Sequence, residues 1–218
     1  MTLIRAVPTP ELLQALVFRL DRKVAELSSS AIIRASRLYD ISTDNRMMHA
    51  LAQWAEESGL RANIREDMAR YTADNLLDLW PNRFTLRSAR QLAGNATAVG
   101  DLVYGGRMGN VLPHDGSKFV GHGPTQLTGA SNFEQYSKRV GYDLVAYPQL
   151  ALQYGVGWRI AGAFFQDHGC NQLADKGGLS QVRPITRAIN GGFNGLEGRS
   201  RYYLRLCSIL SVDPTKGA

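Results

Sequence analysis

The chain is 218 residues long and 44% hydrophobic, with 25 Lys and Arg against 19 Asp and Glu for a net charge of +6. That length supports a single domain over residues 1–218 with two lobes, and no window approaches the roughly 18 uninterrupted apolar residues of a membrane-spanning helix, so no stable membrane insertion is expected. The positive charge favours a polyanionic partner, whether nucleic acid, an anionic cell wall or a membrane surface; without a finger, an RNP motif or a basic zipper, no nucleic-acid partner is expected.

In chain order, the opening MTLIRAVPTPELL lacks the basic-then-apolar pattern and cleavage site of a secretory signal, so none is expected. Thr9-Pro10-Glu11 reads as an N-cap, a proline at the first helical position and a first-turn acid. Leu13, Leu16, Val17, Leu20, Val24 and Leu27 then predict one amphipathic helix, broken by the serines at 28–30, with a short helix through Ile32, Ile33 and Leu38 after it. From 46 to 68 the sequence is RMMHALAQWAEESGLRANIREDM. Met47, Met48, Leu51, Trp54 and Ala55 make a buried helical stripe, Asp44 is the expected N-cap and Gly59 the expected stop. Glu56 and Glu57 fall in the last turn, while Glu66 and Asp67 follow the chain reversal. An acid at a helix end and another in the next loop can face each other across a cleft, and two carboxyl groups flanking a sugar bond are the minimum apparatus of glycoside hydrolysis. Solvated surface is the ordinary alternative for such acids.

Thr72 starts a further helix that must end near Trp80-Pro81, because the residue before proline disfavours helix. Thr85 caps another over 86–92, ended by Gly94. Residues 104–129, YGGRMGNVLPHDGSKFVGHGPTQLTG, are rich in glycine and lack a clean period, yet Tyr104, Met108, Phe119, Val120 and Leu127 argue for an ordered functional loop. Helices resume over 130–140 and 151–167, where Trp158, Ile160, Ala161, Phe164 and Phe165 form the buried side. Gly155, Gly157 and Gly162 predict close approach of another backbone there. Segments 180–189 and 195–210 close the fold around the turn at 190–195, and 212–218 reads as a loose tail. Four histidines with no HxxxH or CxxC pairing imply no metal and no cofactor. Cys170 and Cys207 are too few for a disulfide framework and are expected as reduced thiols.

Several of these stretches, taken in order, resemble glycoside hydrolase family 19, the chitinase-like hydrolases, and in particular their phage endolysin branch. Residues 51–59, LAQWAEESG, match the family's LAQ-x-x-HESG pattern; YGGRMGN at 104–110 matches outright; GHGPTQLTG at 121–129 resembles its GRG-x-x-QLTG; Asn132-Phe133 and INGGFNG at 189–195 continue in the family's order. The resemblance runs from about residue 40 to 210. It implies a mainly α, lysozyme-like fold with a substrate groove, and an inverting mechanism.

The resemblance places the general acid at Glu57 and the base at Glu66, with Asp67 as the competing base. The helical wheel leaves Glu56 and Glu57 equivalent; only the motif register selects Glu57. Thr128 matches a hydroxyl that helps hold the attacking water. Gln126, Asn132 and Asn190 match positions that bind sugar or orient the water, amides being suited to hydroxyl and N-acetyl groups. Tyr104 is placed with these substrate contacts. Arg199 or Arg201 is expected to fix a catalytic carboxylate through a bidentate pair, and Arg201 is counted with the substrate-binding set. Two positions depart from the pattern: Glu56 stands for the family's His, and His122 for its Arg. The expected activity is that of a monomeric endolysin, an N-acetylmuramidase-like enzyme with peptidoglycan strands as partner, made in a host cytoplasm without a signal and acting on the wall in the periplasm. The alternatives are a chitinase and a catalytically silent glycan-binding protein.

Overall fold

The computed structural model describes residues 5–217; Met1–Ile4, where the signal reading begins, and Ala218 lie outside the described residues. Helix α1 (Pro10–Leu16) starts as the sequence predicts, with the Thr9 side chain accepting from Leu12 N at 3.2 Å. It then stops. Arg19 takes a left-handed φ of 61°, and Asp21 caps a new helix, α2 (Arg22–Leu38), accepting from Val24 N at 3.1 Å. The expected break at the serines is absent, since α2 runs straight through them. A serine is unfavourable inside a helix when its hydroxyl competes for nearby backbone. Ser28 is instead fully buried, donates to Leu60 O at 2.7 Å and accepts the Trp158 indole N–H at 3.3 Å. Its small side chain and satisfied hydroxyl let α2 lie directly on the centre of the fold.

That centre is α3 (Asp44–Ser58). Its cap is Thr43, which accepts from Arg46 N at 3.2 Å; Asp44, the expected cap, sits one residue inside and accepts from Ala6 N at 2.7 Å. Residues from Met47 to Ala55 are buried without interruption, so the helix is enclosed rather than striped. Gly59 ends it at φ 56°, a left-handed value that glycine adopts at no steric cost.

Helices α4 (Ala73–Leu79) and α5 (Leu86–Leu92) carry capping boxes, Thr72 with Asn75 and Thr85 with Ser88. Helix α6 (Ala96–Tyr104), capped by Asn95, falls on residues that the sequence reading passed over, and the short α7 (Asp115–Lys118) lies inside the glycine-rich stretch without a clean period. A Cβ at Gly100 would fall 2.8 Å from the Ser117 Cα, so the glycine is needed for α6 to touch α7. Next come α8 (Ala130–Val140), α9 (Tyr154–Asp167), α10 (Cys170–Ala174), α11 (Val182–Asn190) and α12 (Leu196–Leu210). Beyond helices and turns, the described residues hold only two isolated β-bridges, Arg65 with His122 and His122 with Leu127.

The buried residues form two clusters. The larger surrounds α3 and α9, with Trp54 and Trp158 in contact at a ring separation of 5.3 Å. The smaller joins Met68, Leu76, Phe84, Ala89, Val99, Val103 and Val120. Of the three α9 glycines, Gly157 and Gly162 are closely approached, by Ala151 O and the Tyr39 ring, while Gly155 faces open space. The tail is docked rather than loose: Leu179 N donates to Pro214 O at 2.7 Å, and a Cβ at Gly178 would meet Thr215 O at the same distance. Both cysteines are buried and free. No described helix is long and apolar enough to cross a membrane.

Two buried histidines make stability pH-dependent. His49 stacks on Tyr203 at 4.4 Å with neither ring nitrogen partnered, and burial pulls its pKa down to about 4. Burial does the same to His122. Between the unfolded value near 6.5 and about 4, the unfolded chain binds the extra protons, so stability is full above 6.5 and falls as pH drops through that window. The loss is on the order of 3 kcal/mol for each histidine. Melting temperature measured from pH 7 to 4 should fall, and the fall should be shallower in His49→Phe; equal slopes would show that His49 is not responsible.

Candidate active site

Glu57 sits in the last turn of α3, four residues after Gln53 and on the same helical face. Both meet Arg199 in the first turn of α12. Arg199 is only 2% exposed; its Nη1 donates to Gln53 Oε1 at 2.6 Å and its Nη2 to Glu57 Oε1. Gln53 passes the contact on to Thr186 of α11 at 3.4 Å. The planar guanidinium thus fixes one oxygen of Glu57 and leaves Oε2 outside that contact. Glu57 opens onto a cavity of about 220 Å³. Trp54, Phe164, Phe165 and Ile189 supply apolar walls, and Gln126 and Asn190 polar ones.

Arg201, grouped with the substrate contacts on sequence grounds, is elsewhere. It pairs with Glu197 at 2.6 Å on the outer surface of α12, with 70% of its side chain exposed. Two residues apart on an α-helix point to different sides, so Arg199 and Arg201 cannot share the task. Replacing Arg199 by Met leaves Gln53 and Glu57 without their donor in a largely dry setting. The expected cost is about 3 kcal/mol, at the low end for a broken buried pair because Glu57 is 23% exposed. Urea denaturation reads it, and a midpoint equal to that of the unchanged protein would contradict the role given to Arg199.

Glu66 is held differently, by neutral donors. The Tyr104 hydroxyl lies 3.0 Å from both of its oxygens, and Gly121 N donates to Oε2 at 3.2 Å. Backbone pairing of Glu66 N with Gly121 O at 2.8 Å fixes the segment itself. Burial, with the Glu66 charge second, pushes the Tyr104 phenol well above its usual range, so it stays a donor. The Tyr104 hydroxyl therefore gives its proton to Glu66. Asp67 turns away: exposed, it caps the turn Met68–Arg70 by accepting from Ala69 N at 3.0 Å.

The loop at 121–128 links the two carboxylates. Gln126, at a left-handed φ of 49°, puts its Oε1 against Gly121, where a Cβ would fall 2.5 Å away, and it also lines the Glu57 cavity. Its Nε2 donates to Gly123 O at 3.0 Å. The Thr128 hydroxyl donates to Gln126 O at 2.9 Å, which leaves its lone pairs available to a water proton. Asn132 is exposed and donates to Thr128 O at 2.8 Å, bracing the loop, whereas Asn190 reaches the cavity itself. His122 is buried, bonded through Nδ1 to Val120 O at 2.6 Å, and adds no charge near neutral pH. Sequence reasoning overlooked Gln53 and Gly121; the i, i+4 spacing of Gln53 to Glu57 is the signal that would have found the first.

The helical fold thus holds one carboxylate clasped at a helix end and a second over the adjoining loop. No family model matches the chain. A glycosyl hydrolase family 19 domain-containing protein of Haemophilus influenzae is 28% identical over 170 residues, covering 74% of this chain and 80% of that protein. The acidic 27 kDa endochitinase of Solanum lycopersicum is 33% identical over 132 residues, covering 50% of this chain and 52% of its own length. Chitinase C from Streptomyces griseus shares the fold, with a TM-score of 0.61 at 16% identity over 97% of this chain and 79% of that one. These comparisons agree with the resemblance to glycoside hydrolase family 19 and its chitinase-like glycan hydrolases.

Proposed function

We propose that this chain cleaves the glycan backbone of bacterial peptidoglycan as an N-acetylmuramidase-like endolysin, with Glu57 as general acid and Glu66 as general base. The supporting observation is that two carboxylates are both held at the 121–128 loop, one of them at a cavity, while their assignment as acid and base follows the motif register. Arg199 takes Oε1 of Glu57 at the mouth of a cavity, while Glu66 is oriented by the Tyr104 hydroxyl and the Gly121 amide. In an inverting reaction Glu57 Oε2 gives its proton to the glycosidic oxygen as the bond to the anomeric carbon breaks. A water on the opposite face forms the new bond to that carbon and yields its proton to Glu66. Thr128 is the hydroxyl suited to hold that water, and Gln126 and Asn190 to hold the sugar. The net charge of +6 suits a wall bearing peptide carboxylates. We take the protein to work as a monomer on the periplasmic wall after synthesis in a host cytoplasm.

The chitinase reading is the second, favoured by the name of the tomato relative. Mass analysis of reducing ends, on purified peptidoglycan and on chitin oligosaccharides, separates the two. Reducing N-acetylmuramic acid is the expected product. Reducing N-acetylglucosamine would make it a glucosaminidase, turnover of chitin alone a chitinase, and no product from either a silent glycan binder.

A further inference from the structure

The end of α3 presents Gln53, Glu56 and Glu57 at i, i+3 and i+4, one helical face. The start of α12 presents Gly195, Gly198 and Arg199 at the same spacing. The two faces interlock. Arg199 takes Gln53 and Glu57, and the Glu56 carboxylate fills the space between the two glycines. A Cβ at Gly195 would fall 2.8 Å from Glu56 Oε1; one at Gly198 would fall 2.7 Å from the same oxygen and closer still to Oε2. The first-turn amides of a helix lack intrahelical acceptors, and its positive end favours a carboxylate. Glu197, the first-turn acid of α12 itself, is turned outward to Arg201. Glu56 is the carboxylate that lies against that end.

We propose that Glu56 is a positioning residue: its carboxylate, seated between Gly195 and Gly198, sets the first turn of α12 on α3 and so holds Arg199 on Glu57. The inference rests on the glycosidase reading of Glu57. Glu56 touches no reacting atom and acts only through Arg199. Its seat also accounts for Gly198, a glycine inside a helix with an ordinary φ, which propensity alone disfavours.

The test uses that glycine. Gly198→Ala ordinarily strengthens a helix, but here the new methyl expels the Glu56 carboxylate while leaving its charge on the chain. Kinetics on whichever glycan the unchanged protein cuts should show Glu56→Ala and Gly198→Ala each lowering kcat by roughly tenfold, the scale of a small misplacement of a catalytic group. KM should move by less than about twofold, since uniform binding is untouched. The double variant should be no worse than the poorer single, and Glu56→Gln, which fills the same seat, should recover most of kcat. Gly198→Ala with unchanged kcat and a raised melting temperature would overturn the proposal, and so would losses that multiply in the double variant. Should the unchanged protein cut neither peptidoglycan nor chitin, the glycosidase reading fails on its own. The seat is then judged by melting temperature, where non-additive shifts of the two single variants support it and additive shifts overturn it.

Discussion

Glu57→Gln should lose about 10²–10⁴ of turnover, the usual worth of a general acid, while keeping its fold. The amide oxygen can still accept from Arg199 Nη2, so the clasp with Gln53 survives in outline. What changes is the second atom of the group. In place of Oε2 stands an NH₂ that cannot deliver a proton to a leaving oxygen at useful acidity. KM should change little, because the cavity walls of Trp54, Phe164, Phe165 and Ile189 are unaltered. A urea midpoint near that of the unchanged protein, with turnover at background, is the expected pair of results. Turnover within a few-fold of the unchanged protein would remove Glu57 from the mechanism.

The second large effect separates two neighbours. Glu66→Gln should also lose about 10²–10⁴-fold, since an amide cannot take a proton from water. Its carbonyl can still accept from Gly121 N and its NH₂ can donate to the Tyr104 oxygen, so the loop should stay in place. Asp67→Asn should be nearly silent. Asparagine caps as well as aspartate, and the contact from Ala69 N at 3.0 Å is all that the Asp67 side chain supplies to the turn. Kinetics on both variants, each checked for folding by circular dichroism, decides the matter. An inactive, folded Asp67→Asn beside an active Glu66→Gln would move the base by one residue.

Much of the helical outline was legible because capping chemistry is local. Thr9, Thr72 and Thr85 begin helices where their hydroxyls accept from the amide three positions on, and Gly59 ends one because only a residue tolerant of positive φ fits there. The stretches that misled were those whose local signal is overruled by a distant partner. The serines at 28–30 look like a break until Leu60 O and the Trp158 indole satisfy Ser28. The tail looks loose until Pro214 O accepts from Leu179 N.

By itself the sequence determined the order of motifs, the helix borders set by caps and glycines, and the presence of acids on either side of the turn after α3. Those are properties of residues within a few positions of each other, where spacing alone fixes geometry. Only the tertiary structure decided which of two adjacent acids faces the cavity, since Glu56 and Glu57 differ by what α12 brings against them: two glycines for one, Arg199 for the other. It likewise separated Arg199 from Arg201 and Glu66 from Asp67. In each pair the residues are alike in kind and close in sequence, and among the acids only the motif register told them apart. The difference lies in partners up to 146 positions away along the chain, reached only by packing.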